Sequence, residues 1–255
     1  MSFLRKSFTA IAFAAVASAC GDSTGPTNYP PATLDQALAE LSIPALSARG
    51  ASFVDIDATG PSLDPASCPY SATAQSFVCT PISESGVTID QSFTLFNASG
   101  ATQSAFDPAT TASVQANTSI AGTVVEQGTS LTVDGEQEIT LSGLVTGPHV
   151  LNGASTISLF GTVDDGTGTY DVDITVSTTI ANLVLPENAA ASSTIWPRSG
   201  KITVDVTGSI DNVTVSSART TITFSGTSTV DVTVSGGGLS KSCKVNLAES
   251  GPVCE

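Results

Sequence analysis

From about residue 50 onward, apolar and polar residues alternate with period two, and this alternation constrains the fold more than any other feature. Val87, Ile89, Phe93 and Leu95 share one face of an extended chain, while Thr88, Asp90, Ser92 and Thr94 share the other. Tyr170, Val172, Ile174 and Val176 oppose Asp171, Asp173, Thr175 and Ser177 in the same way. So do Ile202, Val204 and Val206 against Thr203, Asp205 and Thr207, and Val230, Val232 and Val234 against Thr229, Asp231 and Thr233. Successive side chains of a strand point to opposite faces, so the pattern predicts an antiparallel sheet with one dry and one wet face. Ser and Thr number 35 each and supply most of the wet face, yet hydrophobic residues still reach 40%, a globular composition.

One stretch sets two signals against each other. Asp134-Gly135 has the composition of a two-residue hairpin turn. Such a turn would place Val133 opposite Glu136 and Leu131 opposite Glu138, mixing apolar and charged side chains on one face. A continuous strand keeps Leu131, Val133, Ile139 and Leu141 in phase and puts Asp134, Glu136 and Glu138 on the wet face. The phase predicts one long strand. Gly122 and Gly161, each followed by Thr-Val within a strand pattern, predict bulges or points of strong twist. Thr-Val-Asp-Val-Thr occurs at 203–207 and again at 229–233, which hints at a repeated hairpin.

The expected fold is all-β: a long-stranded antiparallel meander of about ten to twelve strands. It forms a curved sheet, either a half-open barrel or a sandwich. One short helix is expected at 33–42, where Thr33 and Gln36 have capping-box spacing and Leu34, Ala37, Leu38 and Leu41 recur at helical intervals before Pro44.

The N-terminus is read separately. Arg5 and Lys6 form a basic region, Phe8 to Val16 an apolar run too short to span a bilayer, and Ala17-Ser18-Ala19 a small-residue segment directly before Cys20. This order resembles a bacterial lipoprotein signal. The resemblance implies cleavage after residue 19, lipidation of Cys20 and membrane attachment through that anchor, with Gly21 implying the outer membrane. Ala17-Ser18-Ala19 also suits an ordinary signal peptidase, which would leave a secreted protein with a free Cys20. Residues 20–32 are rich in Gly, Pro and small polar side chains and read as a flexible tether. Residues 33–255 read as a single β-rich domain.

Five cysteines are an odd number for an exported chain. With Cys20 lipidated, Cys68, Cys79, Cys243 and Cys254 remain, and each neighbouring pair is eleven residues apart. Cys68 opposite Cys79 sets Tyr70 opposite Phe77, a favourable cross-strand aromatic pair. Cys243 and Cys254 bracket a turn near Glu249-Ser250-Gly251. The spacing thus predicts two local disulfides, Cys68–Cys79 and Cys243–Cys254, in an oxidising compartment. A four-cysteine zinc site would need closer spacing.

A net charge of −15 argues against nucleic-acid binding and against charge-driven docking on anionic lipid. No catalytic, metal or cofactor site is expected. Gly21-Asp22-Ser23-Thr24-Gly25 matches a hydrolase pattern but lies in the tether, not on a strand-turn-helix elbow. His149, the single histidine, sits beside a Gly-Pro turn and reads as a loop residue. Asp55, Asp57, Thr59 and Gly60 begin like an EF-hand loop, but Ala66 occupies the position of its closing Glu. The carboxylates of Asp134, Glu136 and Glu138 stand about 7 Å apart along a strand, too far to share one ion. Asp164 to Gly168 reads as a hairpin turn. Trp196 reads as closing one end of the core where the chain enters the 201–206 strand.

Two functions fit. One is a non-catalytic structural or interaction module of the cell envelope, displayed on its tether to an envelope protein partner. The other is a carrier for a lipid or other apolar ligand, and resembles at fold level lipoprotein carriers whose half-open barrel holds acyl chains under a helical lid. The dry face distinguishes them. A sheet folded onto itself would bring Phe93, Ile174, Val204 and Val232 together in one filled core, whereas a carrier would keep part of that face for its ligand.

Overall fold

The computed structural model describes residues 68–84, 86–126, 128–164, 168–185, 196–211, 213–247 and 252–254. Cys20, the tether, the 33–42 helix and the Asp55–Ala66 loop lie outside these residues, as does the Glu249–Gly251 turn. The described chain is all strand and turn. Its short N-terminal strands are β1 (Tyr70–Ser71), β2 (Ser76–Val78), β3 (Ile82–Glu84) and β5 (Thr102–Gln103), with the longer β4 (Val87–Asn97) among them. The long strands follow: β6 (Thr111–Glu126), β7 (Thr129–Ser142), β8 (Val150–Asp164), β9 (Thr169–Val184), β10 (Ser199–Ile210) and β11 (Val213–Phe224). β12 (Thr229–Gly236), β13 (Leu239–Asn246) and β14 (Pro252–Cys254) complete the sheet.

All pairings are antiparallel, and from β6 onward every strand pairs with the next in sequence. The result is one sheet whose path runs from β1 to β14 without closing into a barrel. β6 and β9 reach 16 residues each, well above the usual five or six, as the long alternating runs predict. One edge of β4 is covered in sections by β3, β2 and β5. Short covering strands leave little unpaired backbone to recruit another chain.

β7 passes unbroken through Asp134-Gly135. Leu131, Val133, Gly135, Ile139 and Leu141 are buried, while Asp134, Glu136 and Glu138 are exposed. Gly135 is on the inner face, where a Cβ would come within 3.0 Å of side-chain atoms of Ile120 and Ile157. The glycine therefore serves close packing rather than a turn.

Gly122 and Gly161 keep their ladder registers, so they are twist points without bulges. Their φ angles of 155° and 142° belong to glycine alone. Gly208 matches them at 155° and adds a register shift with β11. Register puts Gly122 level with Val133, Leu159, Ile174 and Gly208 across β6 to β10, with Gly161 one level further along. These three glycines crease the sheet near one end of its long strands, a device that bends an otherwise flat sheet.

The two copies of Thr-Val-Asp-Val-Thr lie on β10 and β12, but Thr203 is level with Thr233 through Thr221. They are displaced by four residues along the sheet.

The dry face is divided. The largest cluster joins Ile139, Leu141, Leu151, Ile180 and Leu183 to Ile222, Phe224, Val230, Val232, Val234 and Val245. A second gathers Phe77, Leu95 and Val114 around Cys68, and Leu144 packs against both. Two smaller clusters, around Val87, Val133 and Leu159 and around Leu131, Val172 and Ile174, occupy the creased end. Ile174, Val204 and Val232 are buried as expected, but Ile174 and Val232 belong to different clusters, and the half-buried Phe93 packs in a third. Among the described residues these side chains therefore do not form the single filled core that a sheet folded onto itself would give them. The sheet is too wide for side chains to meet across its whole breadth.

Candidate functional site

The cysteine spacing is realised at the first pair. Cys68 and Cys79 are disulfide-bonded, and Tyr70 pairs with Phe77 across the β1–β2 ladder, ring centroids 5.2 Å apart and edge to face. Cys243 is also disulfide-bonded, and the β13–β14 ladder sets it directly opposite Cys254.

The outer face is the broadest solvent-facing surface of the described residues. Hydroxyls pair across neighbouring strands, as in Thr123 with Thr132 at 2.9 Å, Ser158 with Thr175 at 3.2 Å and Thr233 with Ser242 at 3.3 Å. Charge is unevenly distributed over it. Asp90, Asp134, Glu136, Glu138, Asp171 and Asp173 stand exposed on β4, β7 and β9, and residues 87–184 contain no Lys or Arg. On β10 to β13 the acids are paired instead. Arg219 donates from Nε and a terminal nitrogen to the Asp205 carboxylate at 2.6 and 3.1 Å, and Lys244 donates to Asp231 at 2.6 Å. The Asp205 carboxylate raises the Arg219 pKa, chiefly through the hydrogen bond and then through its charge. Exposed pairs like these add little stability and mainly fix the local sign of the surface.

The acidic ladder is level with uncharged neighbours: Glu136 lies between Ser119 and Thr156, and Glu138 between Asn117 and Ala154. Among the described residues, no three His, Cys, Asp or Glu side chains are grouped to hold a metal ion. His149 is half-buried just before β8, and its backbone carbonyl accepts a hydrogen bond from the Leu185 amide at 2.8 Å. β8 and β9 pair antiparallel as far as Asp164 with Thr169, and residues 165–167 of the expected turn lie outside the described residues. Trp196 is half-buried ahead of β10, where the next residues are tied by Arg198 N–H to Val184 and by Gly226 N–H to the Pro197 carbonyl.

The inner face holds a feature that a strand-by-strand reading missed. Gln91, Thr118, Gln137, Ser155 and Thr178 are level with one another across β4, β6, β7, β8 and β9. This neutral polar row crosses a face that is otherwise apolar. Each residue looks like an isolated exception within its own strand, and only register aligns them. The level continues through Val204 to Thr220 on β11, which is fully buried with its hydroxyl unpartnered.

No protein-family model, curated protein or solved structure matches the chain.

Proposed function

We propose that the protein is an exported, lipid-anchored, non-catalytic β-module of the cell envelope, held to the outer membrane through Cys20 and presenting the outer face of its sheet to an envelope partner. The observation that carries this reading is the order of basic, apolar and small residues directly ahead of Cys20. The outer face supports it. A sheet of small hydroxyl side chains presents a regular pattern of groups, and the exposed carboxylates of Asp90, Asp134, Glu136, Glu138, Asp171 and Asp173 favour a partner of positive charge.

Membrane fractionation of cells expressing the full chain tests the anchor. Wild type should sediment with the outer membrane, and Cys20→Ser should move to the soluble fraction. Soluble wild-type protein would end the proposal. The partner role is tested by chemical cross-linking in intact cells, comparing wild type with Asp134→Asn/Glu136→Gln/Glu138→Gln. A cross-linked product lost in the triple variant supports the acidic face as the contact, and an unchanged product overturns it.

A further inference from the structure

Beyond the proposed display role, the inner face carries a band of distinct composition. The polar row Gln91, Thr118, Gln137, Ser155 and Thr178 is half-buried along its whole length. The adjacent level is Ile89, Ile120, Gly135, Ile157 and Val176, apolar and half-buried except at the buried Gly135. Better-covered residues flank this two-row band: Ile139 and Ile180 at 5% exposure on one side, and Val133 at 4% and Ile174 at 6% on the other. Five strands about 4.8 Å apart make the band about 19 Å long. Between the levels of Leu95 and Val87, the inner face from β4 to β12 has no Asp, Glu, Lys, Arg or His.

The chemistry of the band selects its occupant. An uncharged wall of low polarity disfavours an ion, which would lose its hydration without a counter-charge. An apolar row beside donor-bearing amides and hydroxyls suits a long apolar chain with neutral acceptor oxygens at one side. Thr220 lies at the same level two strands beyond the row, fully buried with its hydroxyl unpartnered. We propose that this band binds a neutral acyl lipid of the diacylglycerol type. The acyl chain runs across the strands against Ile89, Ile120, Ile157 and Val176, and its ester oxygens accept hydrogen bonds from the Gln91–Thr178 row.

The test uses the full chain carrying Cys20→Ser, purified without detergent, so that no lipid of its own competes. It is titrated with fluorescent diacylglycerol and with fluorescent phosphatidic acid bearing the same acyl chains. Saturable binding is expected, about tenfold tighter for the neutral probe. Ile157→Glu should weaken it about tenfold, whereas Thr156→Glu, one residue away on the outer face, should leave it unchanged. If circular dichroism shows Ile157→Glu to be unfolded, the near-isosteric Gln137→Glu takes its place with the same expected loss. Absence of saturable binding overturns the proposal. So does equal affinity for the two probes, or a matching loss in Thr156→Glu. Because no reading depends on Cys20, failure here is distinct from failure of the anchor.

Discussion

Gly122 faces Val87 across the β4–β6 ladder so closely that a Cβ on residue 122 would lie 2.6 Å from the Val87 Cα. Its φ of 155° is also closed to residues with a side chain. Gly122→Ala should therefore cost about 3 kcal/mol or more in stability, through both clash and backbone strain. Gly100 provides the contrast, since a Cβ there meets nothing within 4 Å and only its φ of 79° opposes substitution. Gly100→Ala should cost about 1 kcal/mol. Urea denaturation of both variants checks the difference, and equal losses would refute a crease at Gly122.

Val232 is 1% exposed within the largest cluster, whereas Val125 is 74% exposed near a hairpin end. An Asp at 232 would bury an unpaired charge, and Val232→Asp is expected to abolish the cooperative thermal transition. Val125→Asp should leave the melting temperature within a degree or two of wild type, since exposed substitutions stay within about 0.5 kcal/mol.

Thr220→Val replaces the unpartnered hydroxyl with a methyl of the same shape. It should stabilise the ligand-free protein by about 1 kcal/mol, read as a higher urea midpoint at unchanged slope. Destabilisation would show that the hydroxyl is satisfied in solution.

The Cys68–Cys79 bridge closes a short loop of sequence separation 11 and should contribute about 3 kcal/mol in the chain-entropy model. Cys68→Ala/Cys79→Ala should lower the urea midpoint accordingly. Non-reducing peptide mapping should also recover Cys243 joined to Cys254, which face each other on the β13–β14 ladder. A peptide linking either to Cys68 or Cys79 would overturn the local pairing.

How far the sequence reaches can be seen in β7. Leu131, Val133, Ile139 and Leu141 declare their face by phase alone, and that phase prevails over the turn-like Asp134-Gly135. The same reasoning places the acidic ladder in solvent and Tyr70 opposite Phe77. These properties are local. Side-chain alternation follows from the covalent geometry of an extended chain, and a short loop between cysteines restricts their partners.

Tertiary structure decided what depends on register between strands. The repeated Thr-Val-Asp-Val-Thr looks like one unit used twice, yet pairing through β11 sets the copies at different levels. Gln91, Thr118, Gln137, Ser155 and Thr178 are separate polar interruptions in five strands until the ladders align them into a row. The division of the dry face into clusters, the crease through Gly122 and Gly208, and the burial of Thr220 have the same origin. Each strand knows its own two faces from its sequence, but its height against its neighbours is set by turns, glycine kinks and the packing of residues far apart in the chain.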